Sequence, residues 1–365
     1  MRRSLQPLLV LLVAYRARTR LRVLTNIGNR IFMEPVPAGA ARAAMAPGTA
    51  RSRGAIPLGR AFVTTGGGHR VAYVEAGDGP DLVLIHGALM TLEDMWLGPM
   101  QALARHFHVV AVDRPGHGAS TRGRLSAASP WRQAEILGDA IDALGLRRPV
   151  VVGHSFGGAV ALSLGISRPE RIAGVLALAP IAFPELRLEQ VLFGPRSVPI
   201  SGDALAQGAA ASVDPLLLPL LWRAMFLPQP MPEAFAAQFP FGWARRPEAM
   251  IANGEDAVAL WQGLTRSAFS HAGCRAAVHI IAGDADLVVN PRLHGRTAAR
   301  LIPGARFENL EGVGHMVHHV RVEAVVEAAR ALAGRSTQAM PPQPLRFGGT
   351  DAPKPRAFVH TRGEA

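Results

Sequence analysis

The chain is almost without cysteine and lysine, and each shortage excludes something. Of its 365 residues one is cysteine, Cys274, so no internal disulfide can form and nothing requires an oxidising compartment. No Cys/His spacing suited to a structural zinc occurs, and a metal is not expected. Lys354 is the one lysine among 39 basic residues, so the positive charge is nearly all arginine. That reads as a compositional bias more than as a phosphate-binding surface. The net charge of +12 is unevenly placed. Residues 1–60 hold eleven arginines against Glu34 alone, whereas residues 61–334 hold 23 basic and 24 acidic residues. With no basic stripe in a neutral body, nucleic acid is not an expected partner. No apolar run approaches the ~20 residues that a membrane-crossing helix needs.

What is present divides the chain. Arg2 and Arg3 precede the apolar run Leu8–Ala14, which is followed by "YRARTRLR" with no small-x-small cleavage site. Residues 1–34 are therefore expected to be a basic amphipathic segment making peripheral membrane contact, a free arm, or the product of a start placed upstream. The expected location is cytoplasmic, with membrane association through this segment. Residues 35–60, rich in Ala, Pro, Gly and Arg, read as linker, and 335–365 read as a disordered tail. The body between them, in a chain 49% hydrophobic, is long enough for one large core.

From Phe62 the pattern becomes regular. "FVTTGGGHRVAYVEAG" reads as a hairpin, and "DLVLIHG" as a buried strand ending at His86–Gly87. A helix is expected over Leu92–His106, then a strand running into "DRPGHGAS". Ser129 and Pro130 start a helix that Gly145 stops. Val150–Val152 and "RIAGVLALAP" are strands, as are "VHIIAGDAD" and "ARFENL", with helices near Arg292–Leu301 and Val320–Ala333. A hairpin followed by strand–helix alternation means a mostly parallel twisted sheet with helices on both faces, an α/β fold. Residues 181–270 break the rhythm. They hold ten prolines, seven of the fourteen Phe and three of the five Trp, and read as a helical cap inserted between core segments 61–180 and 271–334.

The chemistry-bearing stretch is "PVVVGHSFGGAVALSLG", residues 149–165. A β-branched strand runs into Gly-His-Ser-Phe-Gly and then into small residues at helical spacing. The bland reading is a tight connection with an incidental hydroxyl. The sharper one is a strand–turn–helix built to present Ser155, with Gly153 and Gly157 where a Cβ would clash. A serine nucleophile needs a base and an orienting acid. "AGDADLVV" offers Asp284 and Asp286 after a strand, and "EGVGHMVHH" offers His315 after the next. In isolation each is an ordinary turn residue or surface histidine. Together they lie in the order Ser, acid, His at one sheet edge. His318 and His319 lack the intervening Glu of a zinc protease and read as helix-start or pocket residues.

On these motifs, residues 62–334 resemble the α/β-hydrolase fold superfamily, in its serine-hydrolase branch with a helical cap. The resemblance implies Ser155 as nucleophile, His315 as base and Asp286, three residues after Gly283, as acid. It implies an oxyanion hole from the backbone N–H groups of Phe156 and Ala88, with Leu89 the alternative to Ala88 because "HGALMTLEDMW" lacks a Gly-Gly-Gly run. "DRPGHGAS" is expected to shape the wall beside the nucleophile. The function this implies is cleavage, without a cofactor, of an ester-like bond in a small hydrophobic substrate: a carboxylic ester, lactone or thioester. Acyl transfer, perhydrolysis or carbon–carbon hydrolysis on the same triad are alternatives, as is a non-catalytic receptor using the capped pocket. Cap aromatics Phe193, Trp222, Phe226, Phe235, Phe239, Phe241, Trp243 and Trp261 are expected to divide between packing and pocket. Leu89, His154, Trp222, Phe226 and Trp243 are named as pocket lining. The oligomeric state is not fixed by any of this.

Overall fold

Short β-branched runs, buried in the central strands and part-exposed at the two edges, set the sheet. The computed structural model describes residues 59–338. The readings of 1–58 and 339–365 lie outside the described residues. Eight strands form one sheet in the order β1-β2-β4-β3-β5-β6-β7-β8. They are β1 (Ala61–Thr64), β2 (Arg70–Ala76), β3 (Asp81–Ile85), β4 (His108–Val112), β5 (Val150–His154), β6 (Gly174–Leu178), β7 (Val278–Gly283) and β8 (Arg306–Leu310). β2 pairs antiparallel with both β1 and β4, and every pair from β4 to β8 is parallel. The longer helices are α1 (Pro130–Ala143), α2 (Phe156–Ser167), α3 (Ser201–Ala211), α4 (Asp214–Phe226), α5 (Pro247–Ser270) and α6 (Val322–Gln338).

Alternation along the strands divides the core into two layers. Val83 and Ile85 of β3 pack with Val151 and with the α1 and α2 residues Ile136, Leu137 and Val160. Leu82 and Leu84 point the other way, to Val150, Val152 and the α6 residues Val325 and Ala329. Both faces are thus covered, which is why the runs Leu82–Ile85, Val109–Val112 and Val150–Val152 are continuously apolar. β4 lies on one side of β3 and β5 on the other. The chain therefore reverses direction across the sheet at β3, and the ends of β3, β5, β7 and β8 open on one edge, where such sheets bind ligands.

Helix punctuation follows the sequence closely at α1. The Ser129 hydroxyl accepts from Arg132 N at 3.2 Å, Pro130 is the first helical residue, and Gly145 leaves with φ +68°. Two expectations need correction. The Leu92–His106 helix is broken into Leu92–Met95, a wide turn Trp96–Met100 and Gln101–Leu103. Pro99 and the non-helical Gly98 make the break. The last helix is split at Arg321 and α6 then runs to Gln338, so residues 335–338 of the expected tail are helical.

Between β6 and β7 come α3, α4, α5 and shorter helices. They bury a third, aromatic cluster of Phe193, Trp222, Phe226, Phe235, Phe239 and Phe241. Leu89, from the loop after β3, and Met316, from the loop after β8, belong to the same cluster. The insertion is therefore packed onto the edge where the strands end.

Two outcomes are expected from this packing. A Cβ at Gly157 would lie 2.4 Å from Ile85 O, whereas one at Gly208, on α3, meets nothing within 4 Å. Gly157→Ala should cost about 1–3 kcal/mol, and Gly208→Ala should gain roughly 0.5–1 kcal/mol, both read by denaturant unfolding. His271, in the turn after α5, packs edge-on to Phe183 at 5.2 Å, and neither ring nitrogen has a hydrogen-bond partner among the described residues. Burial pushes its pKa down to about 4. The unfolded chain then binds the proton more tightly, so stability is full above about pH 6.5 and falls toward pH 4, by about 3 kcal/mol from this group. His271→Phe should remove that part of the acid sensitivity, measured as unfolding free energy against pH.

Candidate active site

Ser155 sits where β5 becomes α2, at φ 54° and ψ −112°. A non-glycine residue in this region costs about 1–3 kcal/mol and persists only where its surroundings fix it. They do so here. Ser155 N donates to Leu178 O at 2.9 Å, and its carbonyl accepts from Ile181 N and Ala159 N, both at 3.2 Å. A Cβ on Gly153 would lie 2.1 Å from Gly157 O, and one on Gly157 2.5 Å from His86 O. Glycine at both positions is therefore a condition of the turn, as the sequence suggested. Phe156 is the first residue of α2, so its N–H has no carbonyl a turn earlier to receive it.

The loop after β3 is held against this turn. A Cβ on Gly87 would come 3.3 Å from Ser155 Cβ. The Gly87 carbonyl accepts from His86 Nδ1 at 2.8 Å and from Arg114 Nη2 at 3.3 Å. His86 Nε2 in turn accepts from Arg114 N at 3.0 Å. That role needs a neutral ring, and burial, with Arg114 and His117 beside it, holds the His86 pKa well below the usual histidine range. In a trans peptide the C=O and the following N–H point opposite ways. Pinning Gly87 O therefore turns the Ala88 N–H away from Arg114. The Leu89 N–H, by contrast, donates to Asn253 Oδ1 at 2.9 Å. Of the two alternatives for a second oxyanion donor, Leu89 is already engaged.

Of the two aspartates the sequence offered, it is Asp286 that His315 meets. His315 Nδ1 lies 2.8 Å from Asp286 Oδ2, and both side chains are buried. The other carboxylate oxygen of Asp286 accepts from Val288 N at 2.7 Å and Val289 N at 2.8 Å. Asp284 instead accepts from Gly312 N at 2.7 Å and bonds the β7 loop to the β8 loop. His315 Nε2 is buried without a hydrogen-bond partner among the described residues.

His154 lies beneath this pair rather than in a pocket wall. Its Nε2 donates to His315 O at 3.1 Å, and its ring is 4.7 Å from that of His315 and 4.3 Å from that of His318. The residue before Ser155 thus holds the backbone of His315. Burial, followed by His318 and His315, keeps the His154 pKa well below its ordinary value, so the ring is neutral.

Residues that sequence reasoning passed over complete the surroundings. Asp94, fully buried, accepts from His318 Nε2 at 3.0 Å and His319 Nε2 at 2.9 Å. Burial would raise its pKa, and the two imidazoles hold it well below instead. Asp94, His154 and His318 offer ligand atoms within 4.8 Å of one another, but the Asp94–His318 contact already serves as a hydrogen bond. Arg114, inside "DRPGHGAS", lies 4.3 Å over the Phe156 ring and donates to Asp256 of α5 at 2.7 Å.

The aromatic residues divide differently from expectation. Trp222 Nε1 donates to Leu89 O at 3.1 Å, and Phe226 packs on Phe235 and His319. Trp243 is half-buried between the guanidinium groups of Arg60 and Arg246, at 4.4 and 4.7 Å. Trp261 faces solvent. Trp243 is therefore engaged by cations and Trp261 is on the outside, because aromatic content does not specify which helix face carries it.

The two aspartates should separate kinetically. Asp286→Asn should lower kcat by several powers of ten, and Asp284→Asn less than about tenfold, in ester hydrolysis followed at neutral pH.

A model of the α/β-hydrolase fold family matches residues 80–322. Over 274 residues the chain is 29% identical to an uncharacterised protein of Mycobacterium tuberculosis, covering 69% of this chain and 74% of that one. It is 36% identical over 103 residues to the pimeloyl-[acyl-carrier protein] methyl ester esterase of Nitrosomonas europaea, which is 28% of this chain and 38% of that enzyme. A hydrolase from Pseudomonas aeruginosa PA01, solved by crystallography, superposes with a TM-score of 0.57 at 25% identity, over 76% of this chain and 98% of that one. The chain belongs to the α/β-hydrolase fold family and is an enzyme of the hydrolase class.

Proposed function

We propose that the chain is a serine hydrolase that cleaves ester-like bonds of small apolar substrates through an acyl-enzyme. One observation carries the reading. A buried His315–Asp286 pair leaves His315 Nε2 without a hydrogen-bond partner among the described residues, at the sheet edge where the strained turn holds Ser155. In this reading Ser155 Oγ attacks the carbonyl while His315 Nε2 takes its proton. Asp286 fixes the tautomer with the proton on Nδ1 and stabilises the imidazolium. The N–H groups of Phe156 and Ala88 receive the oxyanion, and the occupied N–H of Leu89 supports Ala88 as the second donor. His315 then protonates the leaving group and activates the water that releases the acid.

The inserted helices act as a cap. Their aromatic cluster includes Leu89, next to Ala88, and Met316, next to His315, which supports an apolar acyl site. Ser155→Ala should lower turnover of p-nitrophenyl esters by several powers of ten with an unchanged circular dichroism spectrum, and adding His315→Ala should cost little more. Wild-type kcat/KM should rise roughly fourfold per methylene, about 0.8 kcal/mol each, from acetate to a medium chain and then level off. Retained turnover in Ser155→Ala would refute the mechanism. A preference for acetate or a charged acyl group would refute the apolar site alone.

A further inference from the structure

Among the described residues, twelve of the fifteen large apolar side chains that stand in solvent lie between residues 186 and 269. Scattered single examples are ordinary on a soluble surface, but concentration on one inserted segment is not. The outer face of α5 carries Val258, Trp261 and Phe269, which are 52%, 50% and 87% exposed. Their spacing of three and eight puts them on one side of the helix. The opposite side, with Leu260, Gly263 and Ser267, is buried. The preceding segment packs along α5. Gln190 Nε2 donates to Ala257 O at 3.4 Å, and Val258 lies 3.6 Å from where a Cβ on Gly194 would stand. Val191, 73% exposed, lies in the chain between these two contacts.

Where the rest of the chain joins the body indicates what covers this face. Arg60 is buried, bonded to Asp113 at 2.7 Å and Glu93 at 2.8 Å, and stacked over Trp243 of the insertion. The 58 residues before Gly59 hold ten arginines against Glu34 alone, and they include the apolar run Leu8–Ala14. They are attached at the flank of the insertion and carry the charge that anionic headgroups attract.

We propose that the outer face of the insertion docks on an anionic lipid bilayer, with Trp261 and Phe269 entering the interface and the basic arm rooted at Arg60 supplying the long-range attraction. Aromatic side chains with apolar neighbours suit the headgroup boundary. Docking of this face is independent of the chemistry at Ser155.

The full chain is to be mixed with phosphatidylglycerol–phosphatidylcholine vesicles whose acyl chains are brominated, and tryptophan fluorescence compared with that in unbrominated vesicles. Of the five tryptophans, Trp261 is the most exposed, and residues 1–58 contain none. Bromine should quench the wild type, and the quenched component should largely disappear in Trp261→Phe while sedimentation with vesicles persists. Val258→Glu with Phe269→Glu should weaken vesicle binding at least tenfold, with hydrolysis of a soluble ester unchanged. Unaltered quenching in Trp261→Phe, or sedimentation without any quenching, would overturn the proposal, the latter leaving the arm as the sole contact. So would a concentration-dependent dimer that the glutamate variants dissociate without affecting vesicle binding, because the face would then belong to a second copy.

Discussion

The left-handed backbone of Ser155 is the constraint on which the rest of the site depends. A strand that ends on a positive φ and becomes a helix within one residue brings the helix start against the neighbouring strand ends. Gly153 and Gly157 are the places where that approach leaves no space for a Cβ, and at Gly87 one would stand a tight 3.0 Å from His154 Nδ1. The strain, about 1–3 kcal/mol by general experience, is small beside the burial of every residue of β5. The hydroxyl and the first free N–H of α2 are thereby presented together, without a loop that could relax them.

A second dependence runs through charge. Arg114 is fully buried and joins the Gly87 carbonyl, the Phe156 ring and Asp256 of α5. Asn253, three residues earlier on the same helix, receives the Leu89 N–H. Arg122 extends the network to Asp256 and to Glu255, and Arg124 also bonds Glu255. Breaking one partner of such a buried pair leaves an uncompensated charge, typically at a cost of about 3–5 kcal/mol. The insertion is consequently part of the structure that shapes the loop beside Ser155, and α5 cannot move far without disturbing that loop.

The mostly parallel sheet and the edge at which the loops gather were legible in the sequence, because local signals carry them, whereas the choice of Asp286 over Asp284 came from the family resemblance. Buried strands read as β-branched runs, and the parallel arrangement then fixes which ends share an edge. Ser129–Pro130 and Gly145 punctuate α1 by mechanisms that act within a few residues. What was not legible depends on distant pairing. Asp94 and His318 are 224 positions apart, and nothing near either announces the other. The break at Gly98 and Pro99 does have a local sign in the proline, but the packing of His318 and His319 against it, 3.2 and 3.3 Å from where a Cβ on Gly98 would stand, does not. Trp243 and Trp261 showed the limit of composition. An aromatic count identifies an apolar surface but not whether it faces the site, a cation or the outside.

The central claim is that one hydroxyl, at Ser155, is made nucleophilic by its surroundings. The most direct measurement is to react the folded chain with a fluorophosphonate, digest it, and locate the adduct by peptide mass spectrometry. The account requires one adduct, on Ser155, and none when the chain is unfolded before reaction. An adduct on another residue of the folded chain, or equal labelling of the unfolded chain, would contradict it.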